Sequence, residues 1–277
     1  MNYYETKQIS DNFFLIYEKY AEDCLLAMGL IIGTEKAALI DSGMGVFGSE
    51  LYDVVRGLTD KPVINILTHG HPDHIAGSVL FQEVYMNERD EPQIPRLARD
   101  RRLGDVKMFS HNDSAVMAYA EEHCLECSGF RYKNVDAGDR FDLGGITLEI
   151  LALPGHSLGS VAIYNRADGY AMVGDAFSER VPASSLPSLD SFREMADGIQ
   201  TFLDTVPDNA ALYGGHGREP VSRSLIGELL QAARELAEKQ VENDENVFLP
   251  MSPIPNQKKH TFGRVGITYN PAILCVG

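Results

Sequence analysis

The stretch THGHPDHIAG, residues 68–77, places four metal-ligand side chains within six consecutive positions: His69, His71, Asp73 and His74. The whole chain of 277 residues contains only 8 histidines. In extended backbone His69 and His71 point to the same side, and Gly70 between them lets the chain approach a bound group closely. Pro72 then turns the chain, so that Asp73 and His74 face a neighbouring point. One loop can therefore supply ligands to two adjacent metal ions.

Two simpler interpretations of this stretch need no metal. Asp73 could serve only as the N-cap of the helix that follows, and histidines in a polar loop are often solvated. Three histidines and one aspartate in six positions are rare outside metal sites, so the pattern favours metal binding. Imidazole and carboxylate ligands without a thiolate suit zinc, iron or nickel.

Three further candidate ligands follow apolar segments that are typical of buried strands. These are His156 after ITLEILALP, Asp175 after YAMVG and His216 after ALYGG. A glycine precedes each of them and permits a close approach. Since α/β folds place their sites at the carboxyl ends of strands, we expect these three residues to converge on the loop at residues 69–74.

The distribution of apolar segments predicts an α/β fold. Strand-like runs begin near residues 13, 25, 37, 63, 146, 161, 170 and 211, and helical patterns lie at about 46–59, 76–82, 191–205 and 221–240. Two strand-rich blocks, each with helices, indicate α/β layers in which two sheets pack face to face with helices outside.

Two segments do not follow this pattern. Residues 87–134 show weak helical periodicity between a strand and a hairpin, which is typical of an inserted lid. Residues 243–277 contain four prolines and little periodicity, which predicts an irregular tail that wraps the surface. Long irregular segments in a compact domain tend to be functional or disordered.

The charge balance and the apolar runs bear on the partners and the location of the protein. The formal net charge is −16, from 24 Lys and Arg against 40 Asp and Glu, and the only basic block is the short RLARDRR at residues 96–102. This balance argues against a nucleic-acid partner. The longest apolar run, residues 25–33, is too short to span a bilayer, and residues 1–20 lack the pattern of a signal peptide. We expect a cytoplasmic protein with reduced cysteines. The sequence does not determine the oligomeric state, and a homodimer is one of the alternatives.

The ordered set of candidate ligands resembles that of the metallo-β-lactamase superfamily, and most of all its dinuclear hydrolases such as glyoxalase II and the lactonases. The matching pattern is His69-x-His71-x-Asp73-His74, then His156, Asp175 and His216. The resemblance covers about residues 10–86 and 135–220 and leaves the lid and the tail unmatched. It implies a four-layer αββα sandwich of two mixed β-sheets flanked by helices, as a single domain spanning residues 1–277.

The resemblance also divides the ligands between two divalent metal ions. It implies a first ion held by His69, His71 and His156, a second held by Asp73, His74 and His216, and a bridging carboxylate from Asp175. Zinc is the expected metal, with iron or manganese as alternatives. A hydroxide between the ions would be the nucleophile, and Asp73 would orient it. Asp73 and Asp175 are therefore the candidate catalytic residues.

Asp41, in the segment ALIDSGMG at residues 38–45, also resembles a family position at the end of a core strand. There it would orient a ligand histidine through a hydrogen bond. The alternative is an Asx turn before Gly43, since aspartate is common in such turns.

Candidate substrate contacts are aromatic or basic side chains that follow Asp175 or lie in the lid: Phe177, Arg180, Phe192, Tyr119, Phe130 and Tyr132. Each of them could instead be a packing residue. Cys124 and Cys127 form an isolated C-x-x-C pair. They lack the second pair of a structural zinc site and the preceding strand of a redox motif, which favours ordinary packing in the lid.

These residues predict a dinuclear metal-dependent hydrolase that acts on a small ester, thioester or lactone. An iron-loaded redox or oxygen-chemistry protein and a metal-containing sensor of a small ligand are the alternatives. A β-lactamase is less favoured because β-lactamases of this fold typically lack an aspartate at the place of Asp175. A nuclease or phosphodiesterase is less favoured because the chain is acidic.

Overall fold

All eight apolar runs that the sequence predicts as strands form strands in the computed structural model, which describes residues 3–249 and 254–275. In chain order the strands are β1 (Tyr4–Ser10), β2 (Phe13–Ala21), β3 (Cys24–Ile32), β4 (Ala37–Ile40), β5 (Val63–Ile66), β6 (Glu83–Met86), β7 (Lys133–Asn134), β8 (Arg140–Asp142), β9 (Thr147–Ala152), β10 (Val161–Asn165), β11 (Tyr170–Gly174), β12 (Arg180–Pro182), β13 (Ala211–Gly214), β14 (Glu245–Val247), β15 (Gln257–Phe262) and β16 (Val265–Tyr269).

The helices occupy the connections between these strands. The α-helices are α1 (Glu50–Leu58), α2 (Pro72–Ile75), α3 (Arg99–Phe109), α4 (Ser114–His123), α5 (Leu189–Thr205) and α6 (Arg223–Ala237). Shorter 3₁₀ helices span Ala76–Leu80, Glu88–Leu97 and Pro271–Cys275.

Two mixed sheets form the centre of the molecule. Sheet A has the order β1-β2-β3-β4-β5-β6-β7, antiparallel from β1 to β4 and parallel from β4 to β7. Sheet B has the order β13-β11-β10-β9-β8 and is antiparallel except for the parallel pair β11 and β13. The parallel strands β4 and β5 of sheet A and β11 and β13 of sheet B end close to the candidate ligands in the sequence.

Three hydrophobic clusters separate four layers. The cluster between the sheets includes Ile40 and Ile66 of sheet A and Ile150 and Ile163 of sheet B. A second cluster covers the other face of sheet A with α1, α3 and α4, and a third covers sheet B with α5 and α6. Each large apolar side chain buried in this way stabilises the fold by about 1.5–3 kcal/mol. The fold is therefore the αββα sandwich that the sequence predicts.

The prediction of an irregular C-terminal tail is wrong for its described part. Strands β14, β15 and β16 join β12 in a third sheet of order β12-β16-β15-β14. All five residues of β16 are buried, and this small sheet packs against α6. The predicted tail also contains residues 250–253 and 276–277, which lie outside the described residues.

The segment predicted as a lid, residues 87–134 and here called the insertion, is largely helical. It contains the 3₁₀ helix Glu88–Leu97 followed by α3 and α4, and it ends in β7 at the edge of sheet A. Its apolar side chains, among them Val106 and Val116, belong to the cluster over sheet A. Whether the insertion opens and closes over a substrate stays a prediction.

In the described ranges, no helix combines the length and the apolar character needed to cross a bilayer.

The third sheet is attached to α6 by a buried polar network. The Nδ1 atom of His260 lies 2.7 Å from Asp244 Oδ1, and its Nε2 atom lies 3.0 Å from Glu235 Oε2. The hydroxyl of Tyr269 donates to the other oxygen of Asp244 at 2.7 Å. Each ring nitrogen of His260 therefore lies within hydrogen-bond distance of a different carboxylate.

We expect His260→Gln to lower the free energy of unfolding by about 2–4 kcal/mol, because it removes the ring that links two carboxylates at a buried contact. Urea denaturation measures the loss. Lys259→Gln on the same strand is the matched control. It removes only a solvent-accessible ion pair with Glu245 and should cost less than about 1 kcal/mol. Equal losses of unfolding free energy in the two variants would contradict a stabilising role of the His260 network.

Candidate metal centre

The strand ends bring the sequence-predicted ligands to one edge of the sandwich. The ligand loop begins just after β5, Asp175 follows β11 directly, and His216 follows β13. Two backbone hydrogen bonds join the sheets at this edge, from Val161 N to Thr68 O at 2.8 Å and from Ala27 N to Gly215 O at 2.7 Å. Because both sheets end there, loops from both contribute to one cluster.

Three histidines form the first part of the cluster. The Nε2 atom of His69 lies 3.1 Å from Nδ1 of His71, and Nε2 of His156 lies 2.7 Å from the same His71 atom. Their ligand atoms lie within 4.8 Å of one another. Tetrahedral zinc with Zn–N bonds of about 2.0–2.1 Å holds ligand nitrogens about 3.3 Å apart, close to these separations.

Asp73, His74 and His216 form the second part of the cluster, again with ligand atoms within 4.8 Å. The Asp73 Oδ2 atom lies 3.7 Å from Nε2 of His74 and 3.5 Å from Nε2 of His216. His216 is the most accessible residue of the three, with 41% of its side chain exposed. This part of the cluster therefore faces solvent.

Asp175 joins the two parts. Its Oδ2 atom lies 3.1 Å from His216 Nε2 and 3.7 Å from His156 Nε2. Its Oδ1 atom lies 3.4 Å from His74 Nε2, and both of these buried atoms lack a hydrogen-bond partner. Unsatisfied buried polar atoms are rare in folded proteins. A divalent cation coordinated by these atoms would satisfy them, so the residues present fit a metal.

Gly215 allows the carboxylate of Asp175 to lie close to the ring of His74. A Cβ atom at this position would lie 2.4 Å from Asp175 Oδ1 and 2.4 Å from Cε1 of His74. Any larger residue would push the carboxylate away from the imidazole. The glycine before His216 in the sequence therefore has a steric reason.

Electrostatics differ between the two parts of the cluster. Burial lowers the pKa of His69, His71 and His156, and neighbouring histidines lower the pKa of the first two further. These three imidazoles are therefore neutral at pH 7 and have lone pairs for a metal.

The second part carries carboxylates. Burial alone would lower the pKa of His74, but Asp175, Asp41 and Asp73 raise it well above its usual value. Burial alone would raise the pKa of Asp175, but His216 and His74 hold it well below its usual value. The carboxylates thus attract positive charge, which bound divalent cations would supply in place of protons.

Asp41 lies behind His74. Its Oδ2 atom lies 2.8 Å from His74 Nδ1, and its Oδ1 atom accepts a hydrogen bond from Thr68 N at 2.7 Å. These contacts fix the orientation of the His74 ring and leave Nε2 pointing at Asp73 and Asp175. The carboxylate therefore connects the ends of β4 and β5 with the ligand loop.

Asp90 has a supporting role that sequence reasoning missed. This buried residue of the 3₁₀ helix Glu88–Leu97 accepts hydrogen bonds from Gly70 N at 2.7 Å, Ser157 Oγ at 2.7 Å and Gly159 N at 2.8 Å. One carboxylate thereby holds the loop of His69 and His71 against the loop of His156. No local pattern marks Asp90, because its partners are distant in the sequence.

Three of the candidate substrate contacts are core residues, which corrects their prediction. Phe192 of α5 has no exposed surface, and Phe177 is 3% exposed in the same hydrophobic cluster over sheet B. Phe130 is 7% exposed and belongs to the cluster over sheet A. Phe192 lies on the apolar face of an amphipathic helix, which directs its ring inward.

The other three candidates keep accessible surface. Tyr119 is half-buried, donates a hydrogen bond to Glu50 and stacks on His123 at 3.8 Å, which indicates a packing role. Tyr132 is half-buried and Arg180 is exposed on β12. Substrate contacts by Tyr132 and Arg180 stay predictions.

The two cysteines of the C-x-x-C pair are free thiols, and burial raises the pKa of both. Cys127 is buried and donates to the carbonyl of Ala76 at 3.5 Å. These observations agree with packing of the insertion against the helix that follows the ligand loop.

Together, the αββα sandwich and a histidine and aspartate cluster at its strand ends define a class of metal-binding proteins. The sequence matches the family model of the metallo-beta-lactamase superfamily over residues 26–239, and the chain belongs to this superfamily.

Curated relatives and solved structures agree with this membership. The acyl-coenzyme A thioesterase MBLAC2 of Homo sapiens is 27% identical over 192 residues, covering 63% of this chain and 67% of that protein. The hydroxyacylglutathione hydrolase GloC of Haemophilus influenzae is 26% identical over 199 residues, covering 68% and 84%. The crystal structure of a beta-lactamase domain protein from Burkholderia ambifaria superimposes with a TM-score of 0.57 at 17% identity, covering 82% and 72%.

We expect Asp90→Ala to weaken metal binding by about 10–100-fold, because the two ligand loops lose their common acceptor. Competition with a chelator measures the affinity. Glu91→Gln, an exposed neighbour on the same 3₁₀ helix, is the control and should bind metal as the wild type does. Unchanged affinity in a folded Asp90→Ala protein would refute the supporting role.

Proposed function

We propose that this protein is a dinuclear metal-dependent hydrolase that acts on a small ester, thioester or lactone. One observation carries the proposal: two groups of three ligand residues lie side by side, and a third group containing His69, His74 and Asp175 overlaps both. A mononuclear site would need only one of the outer groups.

In the proposed site, His69, His71 and His156 would hold the first metal ion. Asp73, His74 and His216 would hold the second, and both ions would share Asp175. Zinc suits this set of imidazole and carboxylate ligands without thiolates, and iron and manganese are the alternatives. When bound, two divalent cations lower the pKa of a coordinated water and polarise the acyl carbonyl.

The chain's own residues position this chemistry. Asp41 fixes the ring of His74, and Asp90 holds the two loops that carry the three neutral histidines. The carboxylate of Asp73 is ionised at neutral pH, because the charges of His74 and His216 outweigh the effect of burial and lower its pKa. An ionised carboxylate at the solvent-facing part of the cluster can accept a hydrogen bond from the attacking water.

The names of two relatives support thioesters as the first substrates to assay, since one is an acyl-coenzyme A thioesterase and the other a hydroxyacylglutathione hydrolase. A panel of thioesters, lactones and neutral esters, with nitrocefin and an RNA substrate as controls, would test the substrate class. Binding of a panel member without turnover would favour a sensor. An iron signal in electron paramagnetic resonance with redox activity would favour the oxygen-chemistry alternative.

We expect Asp175→Ala to lower kcat/KM for the best panel substrate by at least about a hundredfold, since several kcal/mol of transition-state stabilisation depend on both ions. We also expect the substitution to reduce the metal content below two ions per chain. Elemental analysis and initial rates measure the two effects.

Asp197→Ala, an exposed carboxylate on α5, is the control and should leave both quantities unchanged. Two tightly bound ions and full activity in Asp175→Ala would overturn the dinuclear proposal.

A further inference from the structure

The basic segment at residues 96–102 of the insertion is unused by the proposed reaction. Three of its arginines are engaged within the protein. Arg99 donates to a backbone carbonyl of α4, and Arg101 pairs with Asp105 at 3.2 Å. Arg102 is buried and donates to backbone carbonyls of the loop after β4 at 3.1 Å. These contacts fasten the insertion to the sandwich.

Arg96 differs from these three. It donates from Nη1 to the amide oxygen of Gln93 at 3.0 Å, and within residues 3–249 and 254–275 no carboxylate forms an ion pair with it. The side chain is half-buried, and this burial lowers the pKa of Arg96. A guanidinium has five N–H donors in a planar fork, so most of its donors remain available to a ligand.

The position of Arg96 follows from helix geometry. Side chains at i and i+3 of a 3₁₀ helix eclipse, so Asp90, Gln93 and Arg96 lie on one face of the helix Glu88–Leu97. That face packs on the ligand loop: a Cβ atom at Gly70 would lie 2.7 Å from Asp90 Cβ and 3.3 Å from Gln93 Cβ. Arg96 therefore continues a row of residues that begins directly on the backbone between His69 and His71.

The electrostatic neighbours of Arg96 agree with this placement. The neighbouring cation Arg101 lowers the pKa of Arg96, while Asp73 and Asp105 raise it. Arg96 thus lies within electrostatic range of the candidate ligands, beside a second arginine and without a carboxylate of its own.

We propose that Arg96, aligned by Gln93 on the 3₁₀ helix that packs against Gly70, binds an anionic group of the substrate beside the metal centre. This proposal rests on the proposed function, which puts the scissile acyl group at the centre. The anion would be a carboxylate or a phosphate on the thiol portion of a thioester. Guanidinium forks bind both groups in a bidentate manner.

Binding of non-hydrolysable thioethers tests this subsite without turnover. Isothermal titration of the zinc-loaded full chain would compare three probes with the same S-alkyl chain: S-alkyl glutathione with carboxylates, S-alkyl coenzyme A with phosphates, and neutral S-alkyl N-acetylcysteamine. The variants are Arg96→Gln, Arg96→Lys and the control Arg99→Gln, which removes an arginine of the same segment that contacts α4.

We expect the wild type to prefer at least one anionic probe over the neutral one. Arg96→Gln should weaken the binding of that probe by about tenfold or more, as expected for the loss of one charge-assisted contact. The affinity for the neutral probe should stay within about twofold of the wild-type value. Arg96→Lys should be intermediate, and Arg99→Gln should match the wild type. The probe that responds identifies the anion as carboxylate or phosphate.

Three results would overturn the proposed subsite. The wild type could show no preference for either anionic probe, or wild type and Arg96→Gln could bind the anionic probes with equal affinity. The third is that Arg96→Gln loses as much affinity for the neutral probe as for the anionic one. Failure of the proposed function is distinguishable, because it would appear as absent hydrolysis of the matching thioesters by a wild type that still binds the anionic probes.

Discussion

Three carboxylates, Asp41, Asp73 and Asp175, surround the buried ring of His74, and their charge is the constraint on which the rest of the site depends. Burying an ionised carboxylate is costly unless it is paired. His74 Nδ1 meets Asp41 at 2.8 Å, while Nε2 lies 3.4 Å from Asp175 and 3.7 Å from Asp73. One imidazole thus links strand ends from both sheets, so that metal binding at this point would also stabilise the fold.

The histidine and aspartate cluster could be predicted from the sequence because its signals are local. His69 to His74 occupy one short stretch, and each distant member follows an apolar strand and a glycine, so the α/β rule for strand ends was enough to bring them together. The eight apolar strands could be predicted for the same reason, since buried strands such as β3, β10 and β11 appear as continuous apolar runs.

Other features depend on partners that the local sequence does not show. Strand β15 reads QKKHTF, and its buried positions hold Gln257 and His260, whose polar groups are satisfied by residues of other elements. A search for apolar periodicity therefore missed it. Phe192 lies close to Asp175 in the sequence, but α5 turns its ring into the core. Local sequence indicated neither the distant polar partners of β15 nor the face of α5 on which Phe192 lies.

The insertion shows how a segment outside the common sandwich can influence the site. Its 3₁₀ helix presents Asp90 to both histidine loops and carries Gln93 and Arg96 along the same face. Buried Arg102 holds the next helix against the loop that follows Asp41. Because one rigid face would both support the ligand loops and carry the proposed anion subsite, changes in this helix would alter metal affinity and substrate preference together. The candidate ligands themselves come from the sandwich, so selectivity can vary through residues of the insertion other than Asp90 without loss of those side chains.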